Sequence, residues 1–129
     1  MKTLDKDSLV GVSALLVHAA KIDEIYSDKE KFLIKEFIKS YSVDDDKENI
    51  LKKAEEIEKN SNQLLNFTNI IKKNDEETKS DIIKHLWEII ISDKTIDQYE
   101  SNLMRRICGL IYFSDKMSAE IKLKIINSK

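Results

Sequence analysis

Ile82-Ile83-Lys84-His85-Leu86-Trp87-Glu88-Ile89-Ile90-Ile91 admits two readings, and the choice between them decides the fold. Taken alone, the three consecutive isoleucines have the length and β-branching of a buried strand. Yet Ile82, Ile83, Leu86, Trp87, Ile89 and Ile90 recur at three- and four-residue intervals, the spacing of one helix face. No other segment offers a partner strand. The turns of a sheet would also lack their chemistry, because the 129 residues contain no proline and only two glycines, Gly11 and Gly109. The stretch therefore reads as a helix that starts after Asp75-Glu76-Glu77, and the fold class is expected to be all-α.

The same periodicity extends outward on both sides. Leu9, Val12, Leu16 and Ala19/Ala20 describe one amphipathic helix over residues 5–22, with a well-defined inner face. Phe32, Leu33, Phe37, Ile38 and Tyr41 give a second, after a break around Asp23 to Tyr26. A third starts near Asp44 to Asp46, where three acids suit the positive end of a helix dipole, and runs through Ile50, Leu51, Ala54 and Ile57. Leu64 to Ile71 forms a short fourth. A sixth follows from Asp97 with Leu103, Met104, Ile107, Leu110 and Ile111, and a short seventh from Ser118 carries Ile121, Leu123 and Ile125. About seven helices in an irregular or orthogonal bundle are expected, with residues 1–129 forming a single domain.

Composition narrows the function classes. With 24 acidic and 22 basic side chains, a net charge of -2 argues against a dedicated polyanion binder, and no nucleic-acid partner is expected. Leu9 to Ala20 imitates the core of a signal peptide, but Asp5 and Asp7 precede it and His18 interrupts it. The run is too short to span a bilayer, so no membrane insertion is expected. Cys108 is the sole cysteine, sits in an apolar run and reads as a buried thiol in a reducing compartment, here the cytoplasm.

An internal repeat organises the helices. A shift of 70 residues places Leu16, Asp23 and Glu30 on Leu86, Asp93 and Glu100, and Tyr26 and Ser27 on Ile96 and Asp97. Two helical hairpins thus share one turn: an apolar helix stops at an Asp, an apolar residue follows, then an N-cap residue, then Glu three positions on. Mechanically this is a capping box, Ser27 to Glu30 in one copy and Asp97 to Glu100 in the other, with Tyr26 and Ile96 placed as hydrophobic staples. Chemically, Asp23 and Glu30, and likewise Asp93 and Glu100, keep the spacing of the second half of an EF-hand loop. The first half is missing, since Ala19 and Lys21, or Ile89 and Ile91, stand where its first ligands belong. If the two half-loops converge, Asp23, Glu30, Asp93 and Glu100 form a hard oxygen site for calcium or magnesium; Ser27 and Asp97 remain structural caps.

Leu15-Leu16-Val17-His18-Ala19-Ala20-Lys21-Ile22-Asp23 with Glu30, and Leu86-Trp87-Glu88-Ile89-Ile90-Ile91-Ser92-Asp93 with Tyr99-Glu100 and Leu103-Met104-Arg105-Arg106-Ile107, resemble the TerB family of tellurite-resistance-associated proteins. More narrowly, they are similar to small stand-alone bacterial TerB-like proteins. The resemblance implies an all-helical fold, a cytoplasmic location, and a divalent-cation site proposed on an acidic cluster that corresponds here to Asp23, Glu30, Asp93 and Glu100. It also implies protein partners in a stress response, in some relatives a membrane-associated complex; a related domain precedes the J-domain of a DnaJ-like membrane co-chaperone. Two departures stand out. The family's turn glycine is Glu24 in one copy and Lys94 in the other, and the alanine before it is Ile22 or Ser92. A turn without glycine loses easy access to positive φ, and Lys94 supplies a charge where a cation would sit.

Other residue types carry less. His18 and His85 lie on helices beside core positions, and His85 is within reach of the turn. No paired nucleophile and base, glycine-rich phosphate loop or Cys/His zinc spacing is present. Arg105 and Arg106 are expected to pair with Glu100 or Glu88. Trp87 and Phe67 read as core. The expected function is a non-enzymatic TerB-like binding or scaffolding module of a tellurite-resistance-type stress or envelope pathway, with a weak calcium or magnesium site; the alternative is a small metal-dependent hydrolase using the same four carboxylates.

Overall fold

A computed structural model describes residues 4–21, 26–41, 47–61, 65–92 and 98–128. They form α1 (Lys6–Ala20), α2 (Asp28–Tyr41), α3 (Lys47–Asn60), α4 (Leu65–Lys72), α5 (Glu76–Ile91), α6 (Gln98–Ile111) and α7 (Asp115–Asn127), and no strand occurs among the described residues. The isoleucine run is helical, and Trp87 and Phe67 are buried, as their spacing requires.

α1 departs from the amphipathic helix its sequence suggests. From Leu9 to Ala20 every residue but His18 is buried, including Ser13. A helix covered on all sides is the centre of a fold rather than one of its faces, and α1 packs on α2, α3, α4 and α5, most extensively on α3. Gly11 sets how closely α4 can approach, because a Cβ there would lie 2.4 Å from Ile70 Cδ1.

The 70-residue register holds at the helix boundaries. Lys6 and Glu76 begin α1 and α5, Asp28 and Gln98 begin α2 and α6, and Tyr41 and Ile111 end them. The caps obey it too: Asp5 accepts the Ser8 amide at 2.7 Å, and Asp75 accepts the Thr78 amide at 2.9 Å. Within each three-helix unit the first helix packs chiefly on the third, α1 on α3 and α5 on α7. α4 has no counterpart in this scheme. It packs on both α1 and α6, so α2 meets α5 directly whereas α6 reaches the first unit chiefly through α4. The pairing of the two hairpins is therefore lopsided.

Three details correct the sequence reading. α7 starts at Asp115 instead of Ser118, capped by Ser114, whose hydroxyl accepts the Met117 amide at 3.3 Å. Phe32 is 60% exposed: it lies two residues, about 200° of helix rotation, from the buried Ile34. Ile57 and Leu123 are likewise exposed. Between α6 and α7, Tyr112 takes φ 59°, the left-handed region that favours glycine. The Phe113 amide closes the helix end onto the Cys108 carbonyl at 2.8 Å, with Phe113 buried as the anchor.

Cys108 is free and buried. Burial pushes its thiol above the ordinary range; a hydrogen bond with Ser118 works against that, and Asp115 adds to it. Ser118 also accepts the Trp87 indole N–H at 2.9 Å, which ties α7 to α5.

Candidate functional site

The first repeated turn is built from local hydrogen bonds. Ser27 Oγ accepts the Glu30 amide at 3.1 Å while Glu30 Oε1 accepts the Ser27 amide at 2.8 Å, a reciprocal capping box at the start of α2. Glu30 is only 3% exposed. The staple differs from expectation, since position N4 is Lys31 and its ammonium lies 4.9 Å from the centre of the Tyr26 ring. A cation over an aromatic face replaces the apolar contact.

The end of α3 supplies a wall that sequence reasoning missed. Tyr26 donates its hydroxyl to Glu55 Oε2 at 2.6 Å. Glu58 receives Lys21 Nζ at 2.9 Å and lies 3.2 Å from His18 Nδ1, so it closes the end of α1. Burial holds the Tyr26 phenol well above its ordinary ionisation range, reinforced by the bond to Glu55 and by the negative charge of Glu55, Glu30 and Glu58. A signal was available: Leu51, Ala54, Glu55 and Glu58 follow the i, i+3, i+4, i+7 pattern of one face, so the two acids continue the buried stripe of α3.

The end of α5 is brought next to the first turn. Lys29 Nζ, in the first turn of α2, donates to the Ser92 carbonyl at the end of α5 at 2.7 Å. Ser92 is itself buried and returns its hydroxyl to the Ile89 carbonyl at 2.7 Å. A lysine therefore neutralises the carbonyl end of α5 where that helix meets α2. Asp23, Asp93 and Asp97 lie outside the described residues, as does the side chain of Glu100, whose backbone falls in the first turn of α6. Of the four candidate ligands only Glu30 can be placed, and its placement is that of a cap. Among the described residues no group of three or more His, Cys, Asp and Glu side chains could hold a metal ion.

Both histidines are engaged by neighbours. His85 Nδ1 lies 2.8 Å from the carbonyl of Asp81, one turn back on its own helix, and the ring stands edge-on to Phe37 at 5.0 Å. Tyr41 donates to Asp81 Oδ2 at 2.5 Å, and burial followed by that bond raises the Tyr41 phenol. Arg105 and Arg106 are exposed, and among the described residues neither pairs with Glu88. No described helix is long and apolar enough to cross a membrane.

Taken together, the described part of the turn offers capped amides, a buried carboxylate and a lysine bridge. It can hold two helix ends in a fixed relation. In comparison with known proteins, the family model for tellurite resistance protein TerB matches residues 9–123. No curated protein and no solved structure matches the chain.

Proposed function

The chain belongs to the TerB family, and from that premise we propose that it is a non-enzymatic binding or scaffolding module of a tellurite-type stress or envelope-associated pathway. In this reading it works in the cytoplasm through a protein partner, in some settings a membrane-associated complex, and any calcium or magnesium at the turn is bound weakly. The observation that carries the proposal is the capping box: Glu30, a member of the acidic quartet, spends an oxygen on the Ser27 amide, and Lys29 bridges to the neighbouring helix end. Carboxylates turned onto backbone amides favour a structural role over a hydrolytic one, which needs ligands facing an open coordination site.

Affinity purification of the tagged full chain from its own cells, with and without tellurite, tests this reading. A stoichiometric protein partner is expected in at least one condition. A chain that purifies alone in both, and that hydrolyses model phosphate or ester substrates in a cation-dependent way, would overturn it.

A further inference from the structure

On the side of the molecule formed by α2, α5 and α7 lies a groove that meets the repeated turn only at one end, where Lys29 and Ser92 line it. Its larger section encloses about 770 Å³ and its smaller about 420 Å³. The sections share Lys84, Lys124 and Ile125, so one continues into the other. Along α5 the lining runs from Glu76 to Ser92, about 24 Å of helix axis.

The floor and the rim differ in chemistry. Met117, Ile121 and Ile125 on α7 follow one another at single-turn spacing; Met117 is 42% exposed, Ile121 half-buried, and Ile125 buried at the base of the floor. Charge is biased along the length: Glu76, Glu77 and Asp81 line one end, Lys84 and Lys124 the middle, and Lys29 and Glu88 the smaller section beyond them, so that section carries three lysines to one acid. Among the described residues neither Lys84 nor Lys124 has an ion-pair partner.

We propose that this groove receives an amphipathic helix of a partner protein. The helix sets apolar side chains at i, i+4 spacing on Met117, Ile121 and Ile125, a basic residue against the Glu76–Asp81 end, and an acidic residue against Lys84 and Lys124. Length and form select this occupant. An open trough of about 24 Å matches some sixteen helical residues, whereas small molecules are held in enclosed cavities that cover most of their surface. A second copy cannot fill it groove to groove, because two concave surfaces leave the floor uncovered. The acidic end repels a phosphate backbone. Apolar anchors repeating once per turn are what a helix-in-groove contact reads, and the charge bias fixes the direction of the bound helix.

This inference rests on the reading of the chain as a binding module and specifies its surface. The test uses the full chain as bait for a phage-displayed library of sixteen-residue helices randomised on one face. Enriched peptides are expected to carry the order basic, apolar, acidic. The double variant Lys84→Glu/Lys124→Glu should weaken them at least tenfold, Met117→Glu should do the same, and replacing the peptide's acid by Lys should restore binding to the double variant. Circular dichroism verifies that both variants stay folded, which their exposed positions favour. Enriched peptides indifferent to the charge reversal overturn the groove and leave the module reading standing. Failure to enrich any peptide also overturns the groove, while the module reading is judged separately by the partner purification.

Discussion

Replacing Glu30 by Gln separates charge from hydrogen bonding at the one acidic-turn residue whose side chain is placed. The buried carboxylate accepts the Ser27 amide at 2.8 Å, and a Gln carbonyl oxygen can accept it in the same place. If capping is the role, the substitution costs less than about 1 kcal/mol, the usual worth of such a cap. Removing one partner of a buried ion pair costs about 3–5 kcal/mol instead. Calcium sharpens the contrast: 1 mM calcium stabilises a protein with a submicromolar site by about 4 kcal/mol, and one with a millimolar site by only about 0.4 kcal/mol. Urea unfolding followed by circular dichroism, in chelator, calcium and magnesium, reads all of these on wild type and Glu30→Gln. We expect a cost below about 1 kcal/mol and cation effects below about 0.5 kcal/mol in both proteins. A loss above about 3 kcal/mol, or a calcium stabilisation near 4 kcal/mol that Glu30→Gln abolishes, refutes the structural reading.

Other expectations follow from single sites. Gly109→Ala should stabilise by about 0.5–1 kcal/mol because its Cβ enters open space at an exposed helix position, whereas Gly11→Ala gains nothing net against Ile70; equal shifts in thermal melts would contradict this. Tyr26 and Tyr41 keep their protons in the folded chain above pH 10 while the unfolded chain releases them, so stability falls as pH rises past about 10. The slope is at most about 1.4 kcal/mol per pH unit for each phenol, and less for the half-buried Tyr26, whose partners solvent screens. Absorbance titration at alkaline pH checks it, and all four tyrosines ionising together in an intact fold would sink it. Cys108, buried with its thiol held protonated, should react with iodoacetamide only on unfolding; a native-state rate matching a free thiol would refute its assigned environment.

Much of the helix order was legible because its signals are local. Asp5 and Asp75 cap at three residues' range, and Ser27 and Glu30 form their box across the same interval. The start of α7 was obscured because Ser114 has Met117 at N3 where a capping box has Glu or Gln, so the cap lacks its reciprocal half. What could not be read is what distant segments bring. Glu55 meets Tyr26 from 29 residues away and Glu58 meets His18 from 40, and no spacing along the chain encodes either meeting. The burial of α1 belongs to the same class: its apolar residues nearly surround the axis, but only the packing of four other helices shows that no face is left for solvent. The groove is the extreme case, since three separate helices contribute to it and each looks ordinary alone.

The burial of α1 has a consequence during synthesis. It is made before every helix that covers it, and its contacts with α5 cannot form until residue 91 has left the ribosome. At about 5–20 residues per second, that interval lasts roughly 4–14 s after Ala20 itself has left it. For those seconds a nearly uncharged apolar helix waits without its full cover, a ready client for the chaperones that bind nascent chains. A pause placed late in translation would lengthen that exposure, and a circular permutant that makes α5 before α1 would shorten it.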